Sequence, residues 1–147
     1  MFIRKLTAGW SDMDFNAHMR NTAYLDKSAD VRLMFFAEQG FPAEEFIRLR
    51  IGPVVKHDEV DYFKEVNLLE EMSVSLMVAG LSDDGSRFRL RNEFSRADGK
   101  LTARVTSTGG WLDLSARKLI APPNKLLAAL RALSRTDDFE PMISSVK

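Results

Sequence analysis

The residue types able to do chemistry crowd into one short stretch. Asp12, Asp14, Asn16, His18, Arg20 and Asn21 follow one another closely, with Trp10 ahead of them and Tyr24 and Leu25 behind. From residue 21 the spacing of apolar residues turns helical. The first turn of a helix presents unpaired N–H groups and the positive end of the macrodipole, which together hold an anion. A carboxylate a few residues upstream can fold back beside that point. Carboxylate and amides would then serve acyl transfer, the one as base or nucleophile and the others as support for a developing oxyanion. This expectation has a definite geometry: the Asp14 oxygens converge on the amides that open the helix. The same residue types also make N-caps and Asx turns, and a lone histidine is commonly just hydrogen-bonded in a loop. The case rests on the cluster.

The elements that must position this stretch can be read from periodicity. Residues 2–8 read as a short strand and 9–20 as irregular, turn-forming chain. Helical spacing of Tyr24, Leu25, Ser28, Ala29, Val31, Arg32, Phe35 and Phe36 predicts a helix over 21–39, closed by Gly40 with Pro42 following. Its second half is apolar on nearly every side, which predicts burial on more than one face. Residues 42–49 read as a further short helix. The period then changes to two, predicting strands over 54–66, 72–81, 85–96 and 100–114. Asp83-Asp84-Gly85 and Ala97-Asp98-Gly99 supply hairpin turns. Met72, Val74, Leu76 and Val78 share one strand face; Phe88, Leu90 and Phe94 share another. Pro122, Pro123 and Asn124 open a last amphipathic helix carrying Leu126, Leu127, Leu130 and Leu133. The expected organisation is one domain over 1–133 and a polar tail over 134–147. The fold class is α+β, a long helix wrapped by an antiparallel sheet. One helix does not cover a whole curved sheet, so a second copy pairing edge to edge is expected.

Composition removes several alternatives. The 147 residues contain no cysteine, which excludes a disulfide scaffold, a thiolate nucleophile and a Cys-ligated metal. The only histidines are His18 and His57, so no metal site is expected. Lys plus Arg and Asp plus Glu both number 21, and a formal charge of zero argues against a nucleic-acid partner. The longest apolar run near the middle, residues 33–37, is far short of the ~20 residues that span a bilayer. No signal-peptide core is visible, and neither a membrane nor export is expected; the expected location is cytoplasmic.

With Trp10 ahead of it, the Asp-x-Asn-x-His-x-x-Asn spacing of Asp14, Asn16, His18 and Asn21 resembles the signature of hotdog-fold acyl thioesterases. The likeness is to the 4-hydroxybenzoyl-CoA thioesterase-like group and, in the loop spacing, to plant acyl-ACP thioesterases. Val60-Asp-Tyr-Phe-Lys64 is similar to that family's second strand, and Gly110-Trp-Leu-Asp-Leu114 followed by Pro122-Pro123 to its closing strand. The resemblance implies a hotdog fold, a long central helix wrapped by a curved antiparallel sheet. It implies Asp14 as the catalytic carboxylate and the backbone N–H at or near Asn21 as the oxyanion donor, with Asn16 and His18 supporting or sharing the catalysis. The implied substrate is an acyl-CoA, or an acyl-ACP, hydrolysed to free acid and thiol. No cofactor is implied beyond the coenzyme A of the substrate, and the assembly is a homodimer or a dimer of dimers.

Two other reaction outcomes fit the same loop. A hydratase or dehydratase on enoyl thioesters uses Asp-x-Asn-Pro-x-His; this chain is one residue shorter and lacks the proline. A non-catalytic acyl-thioester binding module is the other. Elsewhere, Arg87, Arg89 and Arg91 alternate along one strand face, and residues 87–104 hold six basic and two acidic residues. That face is either a solvated outer sheet or a place for the phosphates of coenzyme A. Gly109-Gly110 marks a bulge or a close approach of ligand to backbone. The phenylalanines and methionines read as core, some of them as walls of an acyl tunnel.

Overall fold

The computed structural model describes residues 1–146. Its strands are β1 (Phe2–Thr7), β2 (Ile51–Tyr62), β3 (Glu71–Ser82), β4 (Arg87–Arg96), β5 (Leu101–Asp113), β6 (Lys118–Ile120) and β7 (Arg135–Met142). Its helices are α1 (Ala23–Glu38), α2 (Ala43–Leu49) and α3 (Asn124–Ala132), with a 3-10 turn at Trp10–Asp12. The sheet runs β1-β3-β4-β5-β2, every neighbouring pair antiparallel, and α1 lies against it. This is the expected α+β arrangement of one long helix on a curled antiparallel sheet. No helix among the described residues is long and apolar enough to cross a membrane.

The strand faces are as alternation predicts. Met72, Val74, Leu76 and Val78 from β3 and Phe88, Leu90 and Phe94 from β4 are all buried. Together with Val31, Phe35 and Phe36 of α1 they form the core, which Trp111 closes with an indole N–H donated to the Gly85 carbonyl at 3.0 Å. α1 ends in a Schellman motif. The Phe41 amide donates to the Phe36 carbonyl at 2.8 Å and the Gly40 amide to that of Ala37 at 3.1 Å, with Gly40 at φ +83°. Phe41 and Phe36 then both pack against Phe46 of α2.

Three features differ from expectation. The second half of α1 is not buried all round: Leu33 and Met34 are 47% and 37% exposed. Apolar character continues there onto a face that none of the described residues covers. Residues 134–146, expected as a polar tail, contain β7, which pairs parallel with β3. β1 reaches only to Leu76 on that edge, so the backbone of Val78–Ser82 is open to a second strand. Backbone pairing makes little demand on side chains, and Thr136 and Phe139 supply the inward contacts. Lys147, the end of that expected tail, lies outside the described residues. The glycine pair has a backbone explanation rather than a ligand one. A Cβ on Gly109 would stand 2.0 Å from the Val54 carbonyl oxygen, beside a register shift in β2 between Val55 and His57.

Candidate active site

The loop between β1 and α1 is held from both ends. Gly9 donates its amide to Asp12 Oδ2 at 2.8 Å, and the same oxygen meets Lys27 Nζ of α1 at 2.9 Å. Both side chains are largely buried, 16% and 13% exposed. Burial opposes the charge on Asp12, but the Lys27 contact, the Gly9 amide and nearby Arg20 outweigh it and hold the carboxyl below its ordinary range. Asp12 is thus a structural anchor. Arg20 completes the frame, donating to Thr22 Oγ1 at 2.9 Å and to the Ser11 carbonyl.

Residues 13–19 form a tight hairpin. Met13 bridges Met19, the Asp14 amide donates to the His18 carbonyl at 3.0 Å, and Ala17 turns the chain at φ +63°. Asp14 Oδ1 accepts the amides of Asn16 (2.8 Å) and His18 (3.3 Å). The carboxylate therefore contacts amides of its own turn, not those that open α1. An Asx turn is the short-range competitor for such a side chain, and here it engages one of the two oxygens. Asp14 and Asn21 nevertheless border one cavity of about 330 Å³, together with His18, Tyr62, Lys64 and Glu65. Asp14 also borders a second hollow of about 660 Å³, walled by Trp10, Met13, Phe15 and Leu68. Asp14 is the residue that the two hollows share.

At the start of α1, the amides of Ala23, Leu25 and Asp26 donate to the carbonyls of Arg20 and Thr22. The amides of Asn21, Thr22 and Tyr24 find no acceptor among the described residues. The Tyr62 hydroxyl donates to the Asn21 carbonyl at 3.0 Å and fixes that peptide's orientation. Burial raises the Tyr62 phenol, and burial together with Tyr62 and Glu70 takes Tyr24 to about 12, so both phenols stay neutral at working pH. His18 Nε2 lies 2.9 Å from Glu65 Oε2. The Met19 amide donates to the Val66 carbonyl at 2.8 Å, tying the hairpin to the chain after β2.

Asp14, His18 and Asn21 are thus brought together. Asn16 sits at the exposed hairpin tip and reaches Asp14 through its backbone amide. Arg87, Arg89 and Arg91 are not part of this group. In register, Arg96 pairs with Met72, which pairs with Leu6 near the loop; Arg87 lies nine residues further along β4, ~30 Å at about 3.3 Å per residue. Arg91 is bound to both oxygens of Asp138 on β7, at 2.9 and 3.1 Å, and to Thr106. Sequence reasoning assigned no role to Tyr62, Lys64 and Glu65. Their signal was an aromatic pair followed by a charged pair at a strand's end. Among the described residues no group of three or more His, Asp or Glu side chains could hold a metal ion.

A family model described as the Thioesterase-like superfamily matches residues 8–130. No curated protein sequence matches. Among solved structures, a Staphylococcus aureus protein in complex with CoA is 20% identical with a TM-score of 0.81, over 97% of this chain and 87% of that one. A 1,4-dihydroxy-2-naphthoyl-CoA thioesterase from Synechocystis is 18% identical with a TM-score of 0.80, over 90% and 96%. A putative oleoyl thioesterase from Lactobacillus plantarum is 14% identical with a TM-score of 0.81, over 99% of this chain and 53% of that one.

Proposed function

This chain belongs to the thioesterase-like superfamily, has the hotdog fold and is a thioester hydrolase, and from that premise we propose that it hydrolyses an acyl-CoA at Asp14. One observation carries the reading: Asp14 borders both hollows, so a thioester laid across it has one space for the acyl group and another for the thiol arm. The likeness to a structure holding CoA supports coenzyme A as the thiol. Acyl-ACP as the substrate is the second form to assay.

Asp14 Oδ1 is engaged by two amides, and Oδ2 is the reacting oxygen. As general base it takes a proton from water while the water oxygen attacks the carbonyl carbon. As nucleophile it attacks that carbon itself, expels CoA thiolate and leaves a mixed anhydride for water to cleave. In either route the carbonyl oxygen gathers negative charge and rests on the open amides at Asn21 and its neighbours. The collapsing intermediate releases CoA thiolate, which takes a proton. His18, braced by Glu65, backs the hairpin that carries Asp14. Within one chain, Lys64 is the cation lining the site and meets the substrate phosphates. The row Arg87, Arg89 and Arg91 serves phosphates only where a neighbouring copy brings it to this loop. Such a copy pairs along β2, whose outer edge has no partner strand among the described residues and carries exposed Val55, giving a homodimer or a dimer of dimers.

The test is thiol release across a panel of acyl-CoAs and acyl-ACPs. Asp14→Ala is expected to lower kcat by about 10²–10⁴ with the fold retained; wild-type turnover in that variant refutes the assignment. Single turnover in ¹⁸O water separates the routes, because only the nucleophilic one places label in the Asp14 carboxylate. Hydration of crotonyl-CoA without thiol release would instead establish the hydratase reading.

A further inference from the structure

The two hollows that share Asp14 differ in chemistry. The smaller is walled by His18, Tyr62, Lys64 and Glu65, three of them ionisable. The larger, of about 660 Å³, carries Trp10, Met13, Phe15 and Leu68 on its wall, and Asp14 is the only ionisable residue there among the described ones. A phosphate-bearing thiol arm belongs on the side of Lys64. The aromatic side suits a group without charge, since it offers no partner that would offset the lost hydration of an ion.

The rings of the larger hollow are held outward. Trp10 is 83% exposed and Phe15 is fully exposed. Single exposed apolar residues are ordinary, but here several gather about one space that ends at Asp14. The backbone beneath each is fixed. Trp10 opens the 3-10 turn whose Asp12 is tied to Gly9 and Lys27. Phe15 lies inside the Asx turn between Asp14 and Asn16, and Ala17 closes that hairpin. Leu68 precedes Leu69, which stands at φ +66°, a conformation bulky side chains rarely adopt. The Leu69 amide donates to the Ala8 carbonyl at 2.7 Å and the Ala8 amide to the Glu70 carbonyl at 3.0 Å, holding that turn in place. Aromatic faces fixed in this way take up apolar surface with little further loss of freedom. Phe15 forms a rim rather than a buried end, so the hollow is a trough open to solvent.

We propose that Trp10 and Phe15 are specificity residues that hold an uncharged, apolar acyl group in this open trough, so that preference rises with acyl length and then levels off without an upper limit. The inference rests on the thioesterase reading of the Asp14 site. A tunnel among the core phenylalanines would instead end against packed side chains and impose a maximum length. Phe35, Phe36, Phe88 and Phe94 are buried, and none of them lines either hollow that borders Asp14.

Thiol release is measured for straight-chain acyl-CoAs from acetyl to myristoyl with wild type, Trp10→Ala, Phe15→Ala and Leu33→Ala, the last on the other exposed apolar face. In wild type, kcat/KM rises by about twofold per methylene, as for a chain buried on one side, and then stays level to the longest chain. Trp10→Ala and Phe15→Ala each lower the long-to-short ratio by about tenfold, and Leu33→Ala leaves it unchanged. Fluorescence gives a second readout. Trp111 is buried, so the emission lost in Trp10→Phe reports on Trp10. The thioether S-decyl-CoA, which is not hydrolysed, moves that emission to shorter wavelength, and CoA alone does not. A sharp upper length limit in wild type, or a ratio that survives both aromatic substitutions, overturns the proposal and leaves the thioesterase reading standing. Trp10 emission that lies at short wavelength in the free protein and is unmoved by S-decyl-CoA places a second copy of this chain on the rings and likewise overturns it. No thiol release from any substrate overturns the thioesterase reading and the proposal with it. The wild-type length series decides the matter even where a variant fails to fold.

Discussion

Replacing Lys27 by Met tests how the catalytic loop is fastened. The Lys27 ammonium sits 2.9 Å from Asp12 Oδ2 and 3.4 Å from the Thr7 carbonyl, so it joins α1 to the end of β1 and to the loop that follows. Removing one partner of a buried ion pair costs about 3–5 kcal/mol, because the other charge is left without compensation. Asp12 keeps the Gly9 amide and some exposure, which reduces the expected loss to about 2–3 kcal/mol. At about 2–4 °C per kcal/mol, Tm falls by about 5–10 °C. Because the folded Asp12 carboxyl lies below its ordinary value of 3.8, the stability it contributes is fully present above that pH and is lost as pH falls through the folded value. The gap between wild type and Lys27→Met is therefore widest near neutrality and closes below pH 3.8. Asp12→Asn combined with Lys27→Met recovers much of the loss, since no buried charge remains. Urea denaturation across pH, with kcat in parallel, reads all of this. A single variant within about 0.5 kcal/mol of wild type, or a double variant no better than the single, refutes the reasoning.

Two further substitutions probe the frame and the site. Gly109→Ala forces β5 away from the Val54 carbonyl and is expected to destabilise by about 1–3 kcal/mol or to abolish soluble expression; a thermal melt matching wild type contradicts the close approach. Tyr62→Phe removes the donor to the Asn21 carbonyl, and kcat should fall by about 2–10-fold with KM little changed, since the lost bond orients a peptide rather than holding substrate; a change in KM alone speaks against that positioning role.

Much of this architecture is legible in local pattern. Gly40 announces the end of α1 because its φ of +83° is one few other residues adopt. Strict alternation in β4 places Phe88, Leu90 and Phe94 on one face regardless of tertiary context. What escapes the sequence depends on choices between equivalent partners. An Asp14 carboxylate satisfies either its own hairpin or a helix start, and only the path of residues 15–18 decides which. The arginine row of β4 is plain as a face, but its distance from the loop depends on register across β3 and β1. The apolar stripe at Leu33 and Met34 looks the same whether the fold, a ligand or another copy covers it. β7 escapes because its polar residues point outward while its backbone does the pairing. The cluster of Asp14, His18 and Asn21 was visible, whereas Tyr62 and Lys64 join it only after the chain folds back.

The arrangement of β1 and β7 along β3 bears on how the molecule is made. β1 covers β3 as far as Leu76, and β7 takes over from Val78 to Ser82, so two widely separated segments jointly seal one margin of the sheet. During synthesis that margin stays half bare until α3 has emerged and β7 follows it. A ribosome pausing before Arg135, or a protease trimming behind Leu133, would leave a nascent or clipped chain with an uncapped β-ribbon prone to intermolecular stacking.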